Sequence, residues 1–165
     1  MFKKSRSKQA VKDRYLAEAE GMIAAFNRSQ AVIEFSLDGT ILKANQNFLD
    51  AMGYTADEIV GRHHRLFVQP DEVSKPDYKE FWATLNRGEF LSSKYLRLAK
   101  GGREVWIQAT YNPILDADGK PVKVVKFATD VTEIELDRKR RLQEQQAAQA
   151  RQEQAMAAIG AGLSA

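Results

Sequence analysis

From Glu104 to Glu135 the apolar and polar positions fall into three successive patterns. Val105, Ile107, Ala109 and Tyr111 alternate with Trp106, Gln108, Thr110 and Asn112, a period of two that predicts a strand with two different faces. Asp116-Ala117-Asp118-Gly119 supplies turn chemistry, and Pro121 opens a second strand where a missing N–H does least harm. Val122 to Phe127 is apolar and β-branched, interrupted by Lys123 and Lys126. Thr132 and Glu135 then read as a capping box with Thr132 as N-cap. A hairpin therefore feeds directly into a helix. Whatever the inner face of the hairpin feels can pass along that helix, which is the layout of a sensor and not of an enzyme.

Upstream, Val11, Tyr15, Ala19, Met22, Ile23 and Phe26 recur at helical spacing, predicting an amphipathic helix whose stripe lies on the sheet or pairs with a second chain. Ala31 to Phe35 and Ile41 to Ala44 read as strands joined by the turn Leu37-Asp38-Gly39-Thr40. Asn45 to Met52 reads as a short helix ended by Gly53, and Thr55 to Glu58 as a second capping box. A polar loop is expected through Pro70 and Pro76, with Pro76 in the first turn of a helix carrying Tyr78, Phe81, Trp82 and Leu85. Phe90 to Ala99 is a further strand, turning at Lys100-Gly101-Gly102-Arg103. Tight turns force consecutive strands to be antiparallel, and the short helices must cross one face of the sheet. The expected class is α+β, with a pocket between helices and sheet. Beyond Thr132, Leu142, Gln149, Met156 and Leu163 recur every seven residues with Ile159 alongside, a heptad seam for a two-chain coiled coil or, alternatively, a single exposed helix.

The organisation expected is a flanking helix over residues 1–29, a globular domain over 30–131, and a signalling helix over 132–165 that runs toward a downstream signalling region of the same chain. The 165 residues hold no apolar run of about twenty, so no membrane span is predicted. The basic start lacks the apolar segment of a secretory signal, which leaves the cytoplasm as the expected location. With no cysteine there is neither a disulfide framework nor a thiolate site. The formal charge is +3, and its basic clusters are not interleaved with aromatics as a nucleic-acid site would be, so they read as solvated charge. No phosphate-cradling glycine loop, zinc-protease helix or paired nucleophile and histidine is present, and no enzyme is expected.

LDGTILKANQNFLDAMGYTADEIVGR, FWATLNRGEF and KGGREVWIQATYNPILDADGKPVKVVKFATDVTE together resemble a PAS sensory domain over about Gln30 to Glu135, most like those of soluble bacterial chemoreceptors and aerotaxis-type receptors. That resemblance implies a five-stranded antiparallel sheet, a homodimer through flanking helices, and a pocket holding haem, flavin, a small metabolite or nothing. In the overlay on flavin-binding photoreceptors His64 takes the position of their reactive cysteine, so that photochemistry is excluded. Haem b would be ligated by His64, since the usual helix-borne histidine falls near Asp77; the other reading of His64 is a packed ring bonded to a carbonyl. Trp82 takes the place of a tryptophan associated with FAD in aerotaxis receptors, although their adjacent Arg-His pair falls here on Val68 and Gln69.

The residues themselves add three expectations. His64 should face the pocket and the neighbouring His63 the solvent. Tyr95, Arg97, Ile107, Tyr111 and Ala128 share the pocket phase of their strands, and an inward Arg97 needs an anionic partner unless a bulge turns it out. Asp130, Thr132 and Glu135 stand at the junction that would relay a signal, with Asn45 either in the pocket or capping its helix.

Overall fold

Five strands form where the period of two predicts them: β1 (Ala31–Phe35), β2 (Ile41–Ala44), β3 (Leu91–Leu98), β4 (Glu104–Leu115) and β5 (Pro121–Asp130). In this computed structural model, which describes residues 2–163, they make one antiparallel sheet in the order β2-β1-β5-β4-β3. Residues 1, 164 and 165, the outermost positions of the expected flanking segments, lie outside the described residues. Three of the four pairings are hairpins between neighbours in sequence. The fourth joins distant parts of the chain, setting Val32 opposite Phe127 and Phe35 opposite Val124. It places β5 in the middle of the sheet, so that its inward side chains Val124, Lys126 and Ala128 are all buried.

The helices are α1 (Phe2–Ser29), α2 (Gln46–Met52), α3 (Ala56–Ile59), α4 (Pro70–Val73), α5 (Pro76–Asn86) and α6 (Thr132–Leu163). Asn45 caps α2: its Oδ1 accepts from the Phe48 N–H at 3.0 Å and from the Val32 N–H at 2.9 Å, while its Nδ2 donates to the Gln30 carbonyl at 2.8 Å. Asn45 therefore ties α2 to the start of β1 and does not enter the pocket. Gly53, at φ 71°, ends α2 in the left-handed conformation that favours glycine. The Glu58 carboxylate accepts the Thr55 N–H at 2.8 Å, the reciprocal half of the expected capping box. The stretch through Pro70 is not a plain loop as expected, because Pro70 opens the single-turn helix α4. Phe48, Leu49 and Met52 from α2, Ile59, Phe67 and Leu85 pack on Ile33, Phe35, Ile41, Val105, Ile107 and Tyr111 of the sheet. Each such side chain contributes about 1.5–3 kcal/mol through burial.

Two compact units divide the chain, Met1–Asp130 and Val131–Ala165. In the first, Phe26 near the end of α1 meets Phe127 on the outer sheet face, with ring centroids 5.4 Å apart. The rest of the expected stripe, including Val11, Tyr15, Met22 and Ile23, stays exposed. In the second, the Val131 carbonyl accepts the Glu135 N–H at 2.9 Å. The first intrahelical bond of α6 thus closes on the Val131 carbonyl, and Thr132 is the first residue of the helix. Leu142, Met156, Ile159 and Leu163 are exposed along α6. Among the described residues no helix is long and apolar enough to cross a membrane.

Candidate functional site

His64 is held at the centre of the helix-covered face by the turn before β2. Its backbone N–H donates to the Gly39 carbonyl at 2.8 Å, and Thr40 bridges to His63. Gly39 has φ +88°, and a Cβ there would lie 2.6 Å from His63 Nε2, so the close approach of the two segments requires glycine. His63 is not turned to solvent as expected. It is half-buried and caps the turn that carries His64: its Nδ1 accepts from the Arg65 N–H at 3.1 Å, which leaves Nε2 to donate to the Asp38 carbonyl at 2.7 Å.

The His64 ring is fully buried, and both of its nitrogens are engaged. Nδ1 lies 2.9 Å from the Tyr78 hydroxyl and Nε2 lies 3.1 Å from the Tyr111 hydroxyl. Burial, reinforced by the charges of Arg97, Lys126 and His63, holds the imidazole well below its ordinary pKa. Burial also raises Tyr78, so that hydroxyl keeps its proton. Burial pushes Tyr111 up as well, but the charges of Lys126 and Arg97 outweigh it and hold this hydroxyl below its ordinary value. The consistent proton arrangement has Tyr78 donating to Nδ1 and Nε2–H donating to the Tyr111 oxygen.

Lys126 is the residue that sequence reasoning missed. Its side chain is fully buried between Val124 and Ala128, with Nζ 5.0 Å from the Tyr111 ring centroid and 5.5 Å from that of Phe48. Among the described residues no acceptor meets hydrogen-bond geometry at Nζ, and the polar group it is directed toward is the Tyr111 hydroxyl. Burial lowers the pKa of this amine; Tyr111 pulls it back up, and Arg97 adds to the depression. The signal was available: Lys126 stands two residues before Ala128, which strand alternation had already turned inward.

Arg97 points inward as its phase predicts and is 5% exposed. Nη1 donates to the Leu96 carbonyl at 3.0 Å, and the nearest carboxylate oxygen, on Glu72, stands 3.7 Å away, beyond hydrogen-bond length. Its Nε has no acceptor among the described residues, and the guanidinium lies over the Tyr95 ring at 4.6 Å. Tyr95 itself is half-buried and raised to about 12, by burial first and then by Tyr111, against the opposing charge of Arg97. Trp82 is half-buried, edge-on to Phe35 at 5.8 Å and to His64 at 5.4 Å, and its indole N–H is directed toward the Tyr78 hydroxyl without meeting hydrogen-bond geometry. Ile107 and Ala128 form the sheet floor beneath these groups and are buried. Asp130 closes β5, and Thr132 and Glu135 lie in the first turn of α6.

These residues do not fit haem. An axial ligand needs one nitrogen facing open space, and both His64 nitrogens are bonded to tyrosines. A flavin ring system would need the volume that Phe81 and Tyr111, 4.8 Å apart, and Phe35 and His64, 5.3 Å apart, fill with direct ring contacts. Among the described residues no group of three or more His, Cys, Asp or Glu side chains could hold a metal ion.

A five-stranded antiparallel sheet, covered on one face by short helices around a buried polar cluster, is an α+β architecture with its polar groups gathered between sheet and helices. The chain belongs to the PAS fold family of sensory domains, whose family model matches residues 41–128, more than half of its length. It is 47% identical over 126 residues to the biofilm dispersion protein BdlA of Pseudomonas aeruginosa, covering 76% of this chain and 29% of that protein. It is 30% identical over 100 residues to the aerotaxis receptor of Escherichia coli, covering 61% of this chain and 19% of the receptor. The chain thus spans less than a third of the curated relatives it matches. The structure of an RNA-binding light-oxygen-voltage receptor superposes with a TM-score of 0.65 at 21% identity, over 82% of this chain and 38% of that one, a likeness of fold alone.

Proposed function

We propose that this chain is the ligand-sensing input domain of a longer, cytoplasmic, chemoreceptor-like bacterial protein, and that it signals through its flanking helices as a homodimer. The observation that carries the proposal is Lys126, a fully buried amine on the central strand with no carboxylate beside it and with the Tyr111 hydroxyl, outside strict hydrogen-bond geometry, as its polar neighbour. A buried unsatisfied donor costs about 1–3 kcal/mol, a penalty that an apolar residue would avoid, so a role at the site accounts for its presence. Similarity to BdlA and to the aerotaxis receptor supports the setting. The strand that bears Lys126 continues with one intervening residue into α6, a short covalent route from site to output. A ligand shifts the helices only by as much as it prefers one of their arrangements over the other. In this reading the domain performs no catalysis of its own.

Hydrogen exchange on the intact chain tests the relay. Lys126→Met should change protection across Val131 to Leu142 as well as in β4 and β5. Protection altered in the strands but unchanged in α6 would reject the proposal. A second reading, a ligand-free assembly module, draws on the exposed apolar positions of both terminal helices, among them Tyr15 at 74% and Met156 at 67%. It predicts a dimer whose α6 protection is indifferent to every change at the inner face.

A further inference from the structure

We infer that the site takes an organic carboxylate with a flat apolar body, and that its carboxylate displaces Glu72 from Arg97. This rests on the ligand-sensing reading above and names the chemistry of the ligand. The buried cluster is rich in donors and cations and poor in acceptors. Lys126 Nζ and Arg97 Nε reach no acceptor at hydrogen-bond geometry among the described residues, and both groups converge on the one neutral Tyr111 hydroxyl, which offers them no negative charge. Arg97 is 5% exposed; its Nη1 donates to the Leu96 carbonyl and its charge bears on the Tyr111 hydroxyl, while among the described residues no carboxylate lies within hydrogen-bond distance of a fork built to hold two oxygens at once. Among the described residues the carboxylate paired with it is that of Glu72, which at 3.7 Å is too far to hydrogen-bond.

The two partners of that loose pair differ in freedom. Arg97 is locked beneath the helices, whereas the Glu72 side chain is 44% exposed. Glu72 rides on the four-residue helix α4 between Pro70 and Pro76 and can rotate into water with little loss. An incoming carboxylate that forms two hydrogen bonds with Arg97 replaces a weak contact by a strong one. Access is through a groove of ≈ 460 Å³ at the β3 edge, whose walls include Glu72, Tyr78, Phe81, Tyr95, Arg97 and Trp106. That volume suits a small organic molecule, and four aromatic rings select a flat one. Exchange at Arg97 would release α4 from its ion pair, which gives the ligand a mechanical consequence at the site of entry.

The test uses the full chain with benzoate and indole-3-acetate as probes and benzamide as the neutral control, read by calorimetry and thermal shift. Both carboxylates should bind and raise the melting temperature, and benzamide should not. Arg97→Gln should weaken carboxylate binding about 10-fold or more through loss of charge-assisted bonds. Glu72→Gln lies near the surface, is expected to fold normally, and should tighten binding several-fold because the resident competitor is gone. Glu72→Gln leaving affinity unchanged or lowering it, or benzamide binding as well as benzoate, overturns the inference. If neither carboxylate binds while Lys126→Met still alters α6 protection, the carboxylate inference falls and the sensor reading stands. If α6 protection is also indifferent, both fall.

Discussion

Replacing Lys126 by methionine removes the buried amine while keeping an unbranched apolar stem of similar length. Two terms oppose each other. Relieving an unsatisfied buried donor stabilises by about 1–3 kcal/mol. Losing the attraction of the ammonium for the rings of Tyr111 at 5.0 Å and Phe48 at 5.5 Å costs about 0.5–2 kcal/mol. The swap nearly conserves volume, so packing strain is small. The net expectation is a gain of about 1 kcal/mol at neutral pH, or roughly 3–5 °C in melting temperature. The pH dependence supplies an independent check. The native pKa of Lys126 lies below its unfolded value, so between the two the unfolded chain binds the extra proton. Wild-type stability therefore rises with pH across that window, up to about 10.4, and the advantage of the variant shrinks. Urea unfolding of both proteins at pH 7 and pH 10, followed by a signal from the sheet-bearing unit, measures it. A Lys126→Met protein less stable than wild type by more than about 1 kcal/mol at pH 7, or one whose advantage grows with pH, refutes the account of Lys126 as an unsatisfied buried donor.

Three other outcomes follow from the same geometry. His64 stays uncharged in the fold, facing Tyr78, Tyr111, Arg97, Lys126 and the neighbouring His63, so the unfolded chain alone takes up its proton as pH falls. Stability should drop by about 1.4 kcal/mol per pH unit below about pH 6.5, and His64→Phe should flatten that slope in a urea titration. Gly39→Ala should destabilise by about 2 kcal/mol, since it strains a residue at φ +88° and drives a methyl into His63; unchanged denaturant midpoints would contradict this. The exposed stripe on α1 should seat a second chain, so Met22→Ser with Ile23→Ser should shift sedimentation equilibrium toward monomer, and a wild-type protein that is monomeric at micromolar concentration removes the dimer from the proposal.

Much of the local structure could be read from residues close together in sequence. The β4–β5 hairpin follows from alternation on either side of Asp116 to Gly119, and α5 begins at Pro76 because a residue without an N–H suits a first helical turn. Glu58 reaching back to the Thr55 N–H spans three residues. The start of α6 was legible to within a residue: Thr132 and Glu135 carry the letters of a capping box, and the first backbone bond of the helix closes on the Val131 carbonyl. His64 is buried on the inner face, but its partners Tyr78 and Tyr111 lie 14 and 47 residues away, and they are what closes the ring to an iron. The Glu72–Arg97 pair is likewise a product of α4 meeting β3.

Lys126 divides the two kinds of information most sharply. Alternation from Ala128 fixes which face of β5 it occupies, because successive side chains on a strand must point to opposite sides. Alternation cannot say whether that face is dry. Dryness depends on β1 pairing with β5 from nearly a hundred residues away, on β4 pairing with its other edge, and on α2 laying Phe48 across it. A lysine at an edge strand would extend its amine into water. In the centre of this sheet the same residue has nowhere to go, and only the tertiary structure turns it from a surface charge into a buried donor in want of an acceptor.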